Sequence, residues 1–275
     1  MEMVSVSKMR RVSARVGLSR DYARLALELV VNLYKDRKLS HALLAEREEG
    51  KTLAVLITSN KGLCGSYNTR IAKLFSEFLK ENDGVECMPV GKTAIAIARA
   101  RGVENVIFPF HFSETMTPDD ARRLSDELVR LYKTGAYKKV VIFYTQFVRQ
   151  LEYHPRVRTM LPLSPKTMRS IIEETAFGSS EDRFSRSSMK DYEFEPNPSD
   201  VLDRVLPMLL GAITFQICLE SLAAEHSSRM VAMKNATDNA GELLDELTLS
   251  FNRARQSAIT QEVSEIIGGA NALAI

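Results

Sequence analysis

The last part of the chain carries a hydrophobic repeat that continues far longer than a compact domain requires. Apolar residues recur at alternating steps of three and four, which places them in one line, or seam, along a helix. Only three of the seventeen positions in this seam are polar. The seam consists of Leu202, Val205, Leu209, Ala212, Gln216, Leu219, Ala223, His226, Met230, Met233, Thr237, Ala240, Leu244, Leu247, Phe251, Ala254 and Ala258. This spacing predicts one helix on the order of 100 Å long, which forms a left-handed supercoil with a partner helix. We expect Ser199 to cap its start and Gly268-Gly269 to stop it after about Ile267.

The first segment of the chain, residues 1–49, contains the same kind of seam and no proline. Its apolar positions are Met9, Val12, Val16, Ala23, Ala26, Val30 and Leu33, with Ser19 as the polar member. We therefore predict a second long helix, closed by Gly50, which pairs with the C-terminal helix in antiparallel orientation. The C-terminal helix exceeds its partner by about twenty residues, and this excess requires a surrounding partner to cover it.

Between the two helices, short apolar runs alternate with amphipathic stretches. The predicted strands are 53–57, 87–90 and 140–144, and the predicted helical stretches are 68–79, 93–100 and 118–132. This alternation favours a largely parallel sheet covered by helices. The predicted fold class is therefore α/β (or α+β), with a Rossmann-like domain at 50–163 inserted into an antiparallel coiled coil. Residues 164–197, rich in Ser, Arg, Glu and Lys, are predicted as an exposed loop and linker, and 198–275 as the C-terminal helix.

Charge and composition exclude several classes of protein. The formal net charge is only +2, but residues 1–24 hold six basic and two acidic side chains, which favours an acidic partner surface. The basic stretch lacks the interleaved aromatic residues of a nucleic-acid stacking surface, so no nucleic-acid partner is expected. Cys64, Cys87 and Cys218 are too far apart for a CxxC motif, so neither a disulfide framework nor a zinc site is indicated. No apolar run approaches the roughly 18 residues of a membrane span, and we expect any membrane association to come through another protein.

Two glycine motifs suggest nucleotide chemistry at first sight. Gly91-Lys92-Thr93 resembles the end of a P-loop, but the first glycine of that motif would fall at Glu86, so the pattern fails. Gly62 and Gly65 are suited to cradle a phosphate at a helix N-terminus, although a tight turn is the simpler use of both. The four histidines share no metal-ligand spacing. They are His41, His111, His154 and His226.

Particular sequence words resemble the gamma subunits of rotary F-type ATP synthases. The strongest are SRMVAMK (228–234), ATDNA (236–240), NRARQ (252–256) and ITQE (259–262) in the C-terminal helix, preceded by LESLA (219–223). TSNKGLCGSYN (58–68) is similar to the family's strand-to-helix loop, and MEMV (1–4) with SKMR (7–10) to its N-terminal helix. Weaker matches are YTQF (144–147) and LPL (161–163). The resemblance covers the whole chain.

This resemblance implies a non-catalytic shaft, without cofactor or metal, inside a hexamer of alternating alpha and beta subunits. Its α/β domain would sit on the epsilon subunit and the membrane ring of c subunits, at the cytoplasmic face of a bacterial plasma membrane. Proton flow would turn the ring and the shaft. By the same likeness Lys8 and Arg10 would face acidic lever segments of the beta subunits. The residues expected to contact the beta subunits near the top of the shaft are Arg255, Gln256, Thr260, Gln261 and Glu262.

One departure from the family and two alternative functions remain open at this point. Family members have about twenty more residues before the segment that begins here at Met1, and a helix that starts inside a seam lacks its capping residues. We therefore expect an internal methionine as the start, or a fragment. A free-standing coiled-coil scaffold with an α/β head would not need the polar cluster at 255–262. An α/β enzyme using the Gly62–Gly65 loop would bind a ligand as an isolated chain.

Overall fold

The computed structural model describes residues 1–35, 41–103, 107, 109–110, 116–175 and 197–273. Helices and strands alternate through the middle of this part of the chain, and a long helix stands at each end. The elements are α1 (Glu2–Lys35), β1 (Lys51–Ile57), α2 (Tyr67–Glu81), β2 (Val85–Val90), α3 (Lys92–Ala100), α4 (Pro118–Lys133), β3 (Tyr137–Arg149), β4 (Glu152–Leu161), α5 (Pro165–Thr175) and α6 (Pro198–Leu273).

The sheet has the strand order β2-β1-β3-β4. Strand β1 pairs in parallel with β2 and β3, as the alternation of elements predicted, whereas β4 is antiparallel to β3. The sequence did not predict β4, because this edge strand contains Pro155 and mostly polar residues and lacks the apolar run of β1. One core cluster fills the space between β1, β3 and helices α2 and α3, with Phe75 and Phe143 edge to face at 5.2 Å.

Helices α1 and α6 are antiparallel, as predicted. His41, six residues beyond the end of α1, lies 2.8 Å from Asp203 near the start of α6. Six extended residues reach about 20 Å, so the end of α1 lies close to the start of α6. The seam residues Met9, Val12 and Val16 are buried, which confirms the face that the sequence assigned to the pairing.

Helix α1 is shorter than predicted, since it ends at Lys35 and not near 49. Residues 36–40 lie outside the described part of the chain. Beyond them the chain turns, and Leu43 and Leu44 are buried. The backbone oxygen of Leu43 accepts a hydrogen bond from the Leu163 amide at 2.8 Å. The tertiary packing of these two leucines therefore favours a turn here over a continued helix.

The prediction of an exposed loop from 164 is wrong for its first part, which forms helix α5. Ser164 accepts a hydrogen bond from the Thr167 amide at 3.3 Å, as an N-cap does, and Met168 and Ile171 are buried three residues apart on one face. The charged and hydroxyl residues around these two apolar positions concealed the helix. The rest of the predicted loop, 176–196, lies outside the described residues.

Helix α6 differs from its prediction at both ends. Asn197 caps it in place of Ser199, with the Asp200 amide donating to Asn197 Oδ1 at 2.9 Å, and the helix continues through Gly268-Gly269 to Leu273. Glycine lowers the stability of a helix, but it ends the helix only where the backbone adopts a left-handed conformation. One 18-residue window of α6 is long and apolar enough to cross a membrane by length and composition alone, which the search for uninterrupted apolar runs did not detect. That window is 67% buried within the protein, as in a core helix.

The chain divides into two compact units within α6. The first comprises Met1–Met230 and contains the sheet with its covering helices. The second comprises Val231–Ile275 and, as far as the structure describes it, is helical to Leu273. Each unit presents different candidate functional residues.

Candidate partner-binding surfaces

Helix α6 covers the carboxyl ends of β1 and β3, which is where open α/β sheets usually bind ligands. The Thr145 amide on β3 donates to Ser221 Oγ at 3.2 Å. Ser228 Oγ donates to the backbone oxygen of Cys64, in the loop after β1, at 2.6 Å. The chain's own helix therefore occupies the position that a nucleotide takes in many doubly wound folds.

Arg229 fastens the same loop to the helix. Its Nη2 donates to the Lys61 oxygen at 3.0 Å and to Glu225 at 2.7 Å, and its Nε donates to the Gly62 oxygen at 3.2 Å. Arg229 is almost completely buried, so these bonds form with little competition from water. We call the loop segment 61–64 together with α6 residues 225–229 the helix–loop junction.

The loop is shaped to receive the helix. Leu63 and Gly65 have φ of 60° and 56°, in the left-handed region, and Asn68 Nδ2 donates to Ser59 Oγ at 2.7 Å from the start of α2. The loop carbonyl groups are thereby turned toward Arg229. The loop thus acts as the turn that the sequence favoured, and its carbonyl groups accept hydrogen bonds from Arg229 and Ser228.

Close packing, and not a P-loop, explains why glycine occupies position 91. A Cβ atom at this position would lie 2.4 Å from the Thr58 backbone oxygen, and the φ of Gly91 is +98°. Only glycine permits this close approach of the β2 end to the β1 end. Gly91-Lys92-Thr93 is thus the start of α3.

A second polar contact joins α1 to α6. Arg20 Nε lies 2.8 Å from Glu220 Oε1, and Gln216 Nε2 donates to the same oxygen at 3.1 Å. The Glu220 side chain is only 2% exposed, and Arg20 also donates to the Phe147 oxygen at the end of β3. The Arg20 side chain is 27% exposed, so removal of Arg20 would leave the buried Glu220 charge without this compensation, whereas Arg20 without Glu220 would still contact water.

Three buried groups of the first unit, one tyrosine and two cysteines, are held neutral by their surroundings. Burial, reinforced by the nearby Glu225 charge, raises the pKa of Tyr67 beyond its usual range. Burial raises the pKa of Cys87 to about 12, and burial together with Asp120 raises the pKa of Cys218. All three cysteines are free and buried. Among the described residues, no group of three or more His, Cys, Asp or Glu side chains is arranged to hold a metal ion.

The predicted partner-binding residues of the C-terminal helix all lie in the second unit and are all exposed. Successive residues of a helix are rotated by about 100°, so these five side chains point in directions that cover the whole circumference. Arg255 and Glu262 share one side, Gln256 and Thr260 another, and Gln261 a third. Such an arrangement suits a partner that surrounds the helix better than one that packs on a single face.

The second unit also exposes a continuous apolar groove. Leu244, Leu247 and Phe251 are 64%, 61% and 66% exposed, and with Ala240, Leu243 and Thr248 they line one side of the helix. Further along, Ile259, Val263 and Ile266 are exposed as well. Water contact at so many large apolar side chains is unfavourable, which indicates that a partner covers this helix.

The predicted residues of α1 are placed differently from each other. Arg10 is exposed, whereas Lys8 is half-buried. The two are separated by about 200° around the helix, so they do not form one patch. Sequence reasoning missed the helix–loop junction, although its loop segment and Ser228-Arg229 belong to the sequence words that carried the resemblance.

Comparisons with known proteins agree with the geometry. A family described as ATP synthase matches residues 1–273. The chain is 36% identical to the ATP synthase gamma chain of Symbiobacterium thermophilum, over 99% of this chain and 91% of that one. It is 33% identical to the gamma chain of Staphylococcus saprophyticus, over 99% and 92%. A central stalk and c-ring structure of Tetrahymena thermophila mitochondrial ATP synthase superposes with a TM-score of 0.63 at 22% identity, covering 86% of this chain and 97% of the other, which shows a shared fold.

Proposed function

The chain belongs to the family of ATP synthase gamma chains, and we propose that it is the rotor subunit of the central stalk. In this role it couples proton flow through a membrane ring to ATP synthesis at a catalytic hexamer. The observation that carries the proposal is the second unit: from Lys234 to Ala270 every side chain is exposed except the half-buried Asn252. An exposed helix with apolar and polar side chains around its circumference requires a sleeve, that is, a partner protein that surrounds it.

The second unit supplies the contacts with that sleeve. Arg255, Gln256, Thr260, Gln261 and Glu262 contact the beta subunits near the top of the shaft, and the apolar groove at 240–251 packs against the surrounding hexamer. Lys8 and Arg10 on α1 face acidic segments of the beta subunits. Since the groups on the helix are not equivalent at different angles, a turn of the helix presents a different surface to each catalytic site.

The first unit transmits the rotation. Its α/β domain binds the epsilon subunit and the ring of c subunits at the cytoplasmic face of the bacterial plasma membrane. The helix–loop junction and the Arg20–Glu220 pair join this domain to the shaft. The chain catalyses no reaction itself, and its α6 helix occupies the crevice where an α/β enzyme would bind substrate.

Reconstitution tests this function. The chain is mixed with alpha and beta subunits of the same organism, and complex size and ATP hydrolysis are measured. We expect one copy of the chain per hexamer and hydrolysis that depends on it. A chain that stays apart as a monomer, or that pairs with itself as a free-standing scaffold would, contradicts the proposal.

Variants locate the contact surface. Removing the guanidinium in Arg255→Ala, or the side-chain amide in Gln256→Ala, is expected to lower chain-dependent hydrolysis about tenfold, without loss of the chain's own fold. Lys80→Ala, an exposed residue of α2, is the matched control and should retain full activity. Equal activity of the Arg255 and control variants would remove this surface from the proposal.

A further inference from the structure

A cavity of about 420 Å³ opens where the start of β3, the end of β4 and the start of α5 meet. Its described lining contains five cationic side chains and one acidic side chain, Glu46. The cations are Arg47, Lys138, Lys139, Arg158 and Lys166. This excess of positive charge contrasts with the balanced charge of the whole chain.

One of the cations, Arg47, is held in place by neutral groups. Arg47 Nη1 donates to the backbone oxygens of Tyr132 at 2.6 Å and Tyr137 at 3.1 Å, and its guanidinium carbon lies 4.1 Å from the centre of the Tyr132 ring. Arg158 is 4% exposed, with its guanidinium carbon 5.2 Å from the centre of the Tyr144 ring. Carbonyl groups and a ring face orient the Arg47 guanidinium but do not cancel its charge.

The three lysines add charge at the rim. In the part of the chain that the structure describes, Lys138, Lys139 and Lys166 form no ion pair with a carboxylate. A divalent cation would be repelled by this set of groups, whereas a multivalent anion would be attracted to all of them.

The remaining lining suits oxygen atoms of an anion. Hydroxyl groups of Thr159, Ser164, Thr167 and Ser170 line the cavity, and the eleven-residue helix α5 begins there with its positive dipole end. Arginine and lysine beside hydroxyl donors form the usual recognition set for a phosphoryl group. The volume lies within the range of small-ligand sites.

We propose that this cavity binds a phosphoryl anion, either a soluble phosphate compound or the headgroup of an anionic lipid. Lys138, Lys139 and Lys166 supply ion pairs at the rim, and Arg47 provides a fixed positive charge behind them. This inference goes beyond the rotor function and does not depend on it, because binding is measured on the full chain alone.

The first arm of the test uses soluble probes. The full chain is titrated with inorganic phosphate and with pyrophosphate at constant ionic strength, so that general screening does not change. Loss of two charge-assisted contacts in the double variant K138Q/K139Q is expected to weaken pyrophosphate binding about tenfold or more. The matched control is K73Q/K80Q, which removes two exposed lysines of α2 outside the cavity and should leave binding unchanged.

The second arm separates the two sources of the phosphoryl group. Co-sedimentation is measured with vesicles of phosphatidylcholine alone and with vesicles that also contain phosphatidylglycerol. Lysine-dependent binding of pyrophosphate without vesicle binding identifies a soluble ligand. Lysine-dependent binding to the phosphatidylglycerol vesicles, with competition by pyrophosphate, identifies a headgroup.

The outcomes that overturn the site are equally specific. Neither probe binding, or equal losses in K138Q/K139Q and K73Q/K80Q, would show that the cavity has no such ligand. If the double variant does not fold, as judged by its tyrosine fluorescence, K166Q takes its place, because Lys166 is exposed at the start of α5. Unchanged binding in a folded K166Q variant would then count against the proposal.

Discussion

The two parts of helix α6 have the same apolar spacing but opposite surroundings. In the part up to Met230, seam residues such as Leu209, Leu219 and Ala223 are buried by the α/β domain and α1. In the part from Val231, the equivalent Leu244 and Leu247 are exposed. A seam therefore predicts that a face needs a partner, but it does not tell whether the partner is the same chain or another one. The first part serves the fold, and for the second we propose a role in binding.

Thiol chemistry should separate the two parts by the largest factor. Burial and Asp120 raise the pKa of Cys218 on the first part, and burial raises the pKa of Cys87 from 9.0 to about 12. At pH 8 a shift of that size lowers the reactive thiolate fraction about a thousandfold. We expect a thiol introduced by Ser257→Cys on the second part to react with iodoacetamide at least about a thousandfold faster, as measured by peptide mass spectrometry. Raising the pH should speed reaction of the buried thiols about tenfold per pH unit up to their raised pKa values, whereas reaction of the exposed thiol should level off above its ordinary pKa of about 8.5. Comparable rates at pH 8 would show that the first part opens readily.

Shortening a leucine should distinguish the parts by stability. Leu219→Ala removes a fully buried side chain and is expected to lower the free energy of unfolding by about 2–5 kcal/mol. Leu247→Ala, the matched control on the exposed part, should change it by less than about 0.5 kcal/mol. All eight tyrosines precede Met230, so urea unfolding followed by tyrosine fluorescence reports on the first unit alone. A large effect of Leu247→Ala in the isolated chain would contradict the comparison.

Arginine substitutions extend the comparison to polar contacts. Arg229→Ala removes the hydrogen bonds to Lys61, Gly62 and Glu225 within the partly buried junction, so a loss of about 1–3 kcal/mol is expected. Amide hydrogen exchange across residues 59–68 should increase as the junction loosens. Arg229→Lys keeps the positive charge but loses the planar guanidinium group that donates several hydrogen bonds at once. Its stability should therefore lie between that of the unchanged chain and that of Arg229→Ala.

The control for the junction is Arg255→Ala, because Arg255 is exposed on the second part of α6. It should leave both stability and hydrogen exchange of the isolated chain unchanged, while it weakens the reconstituted complex. If the amides of residues 59–68 stayed protected from exchange in Arg229→Ala, the hydrogen bond from Ser228 to the Cys64 oxygen would be sufficient to hold the loop.

These contrasts also explain how far the sequence could predict the structure. Helix α2, predicted at 68–79 and found at Tyr67–Glu81, has a strong local amphipathic pattern. Helix α5 was missed because its two buried residues, Met168 and Ile171, stand among polar ones. The junction could not be predicted from spacing, since Arg229 and Lys61 are 168 residues apart and meet only through the fold. For the second unit, the sequence predicted which residues bind a partner, and the structure shows that these residues are exposed. Their contacts with a partner stay a prediction.

The smallest expected effect concerns glycine in the two long helices. Gly241 on the exposed part of α6 and Gly17 on α1 are both helical, and a Cβ atom at either position would meet nothing within 4 Å. Alanine restricts the unfolded chain and favours helix, so each substitution should stabilise its own helix by about 0.5–1 kcal/mol. Gly241→Ala should raise helical circular dichroism during heating without moving the tyrosine-detected transition, because the second unit has no tyrosine. Gly17→Ala should move that transition upward, since α1 belongs to the first unit. If Gly241→Ala also moved the tyrosine transition, the two parts of α6 would unfold as one cooperative helix, and the division at Met230 would be one of surroundings only and not of stability.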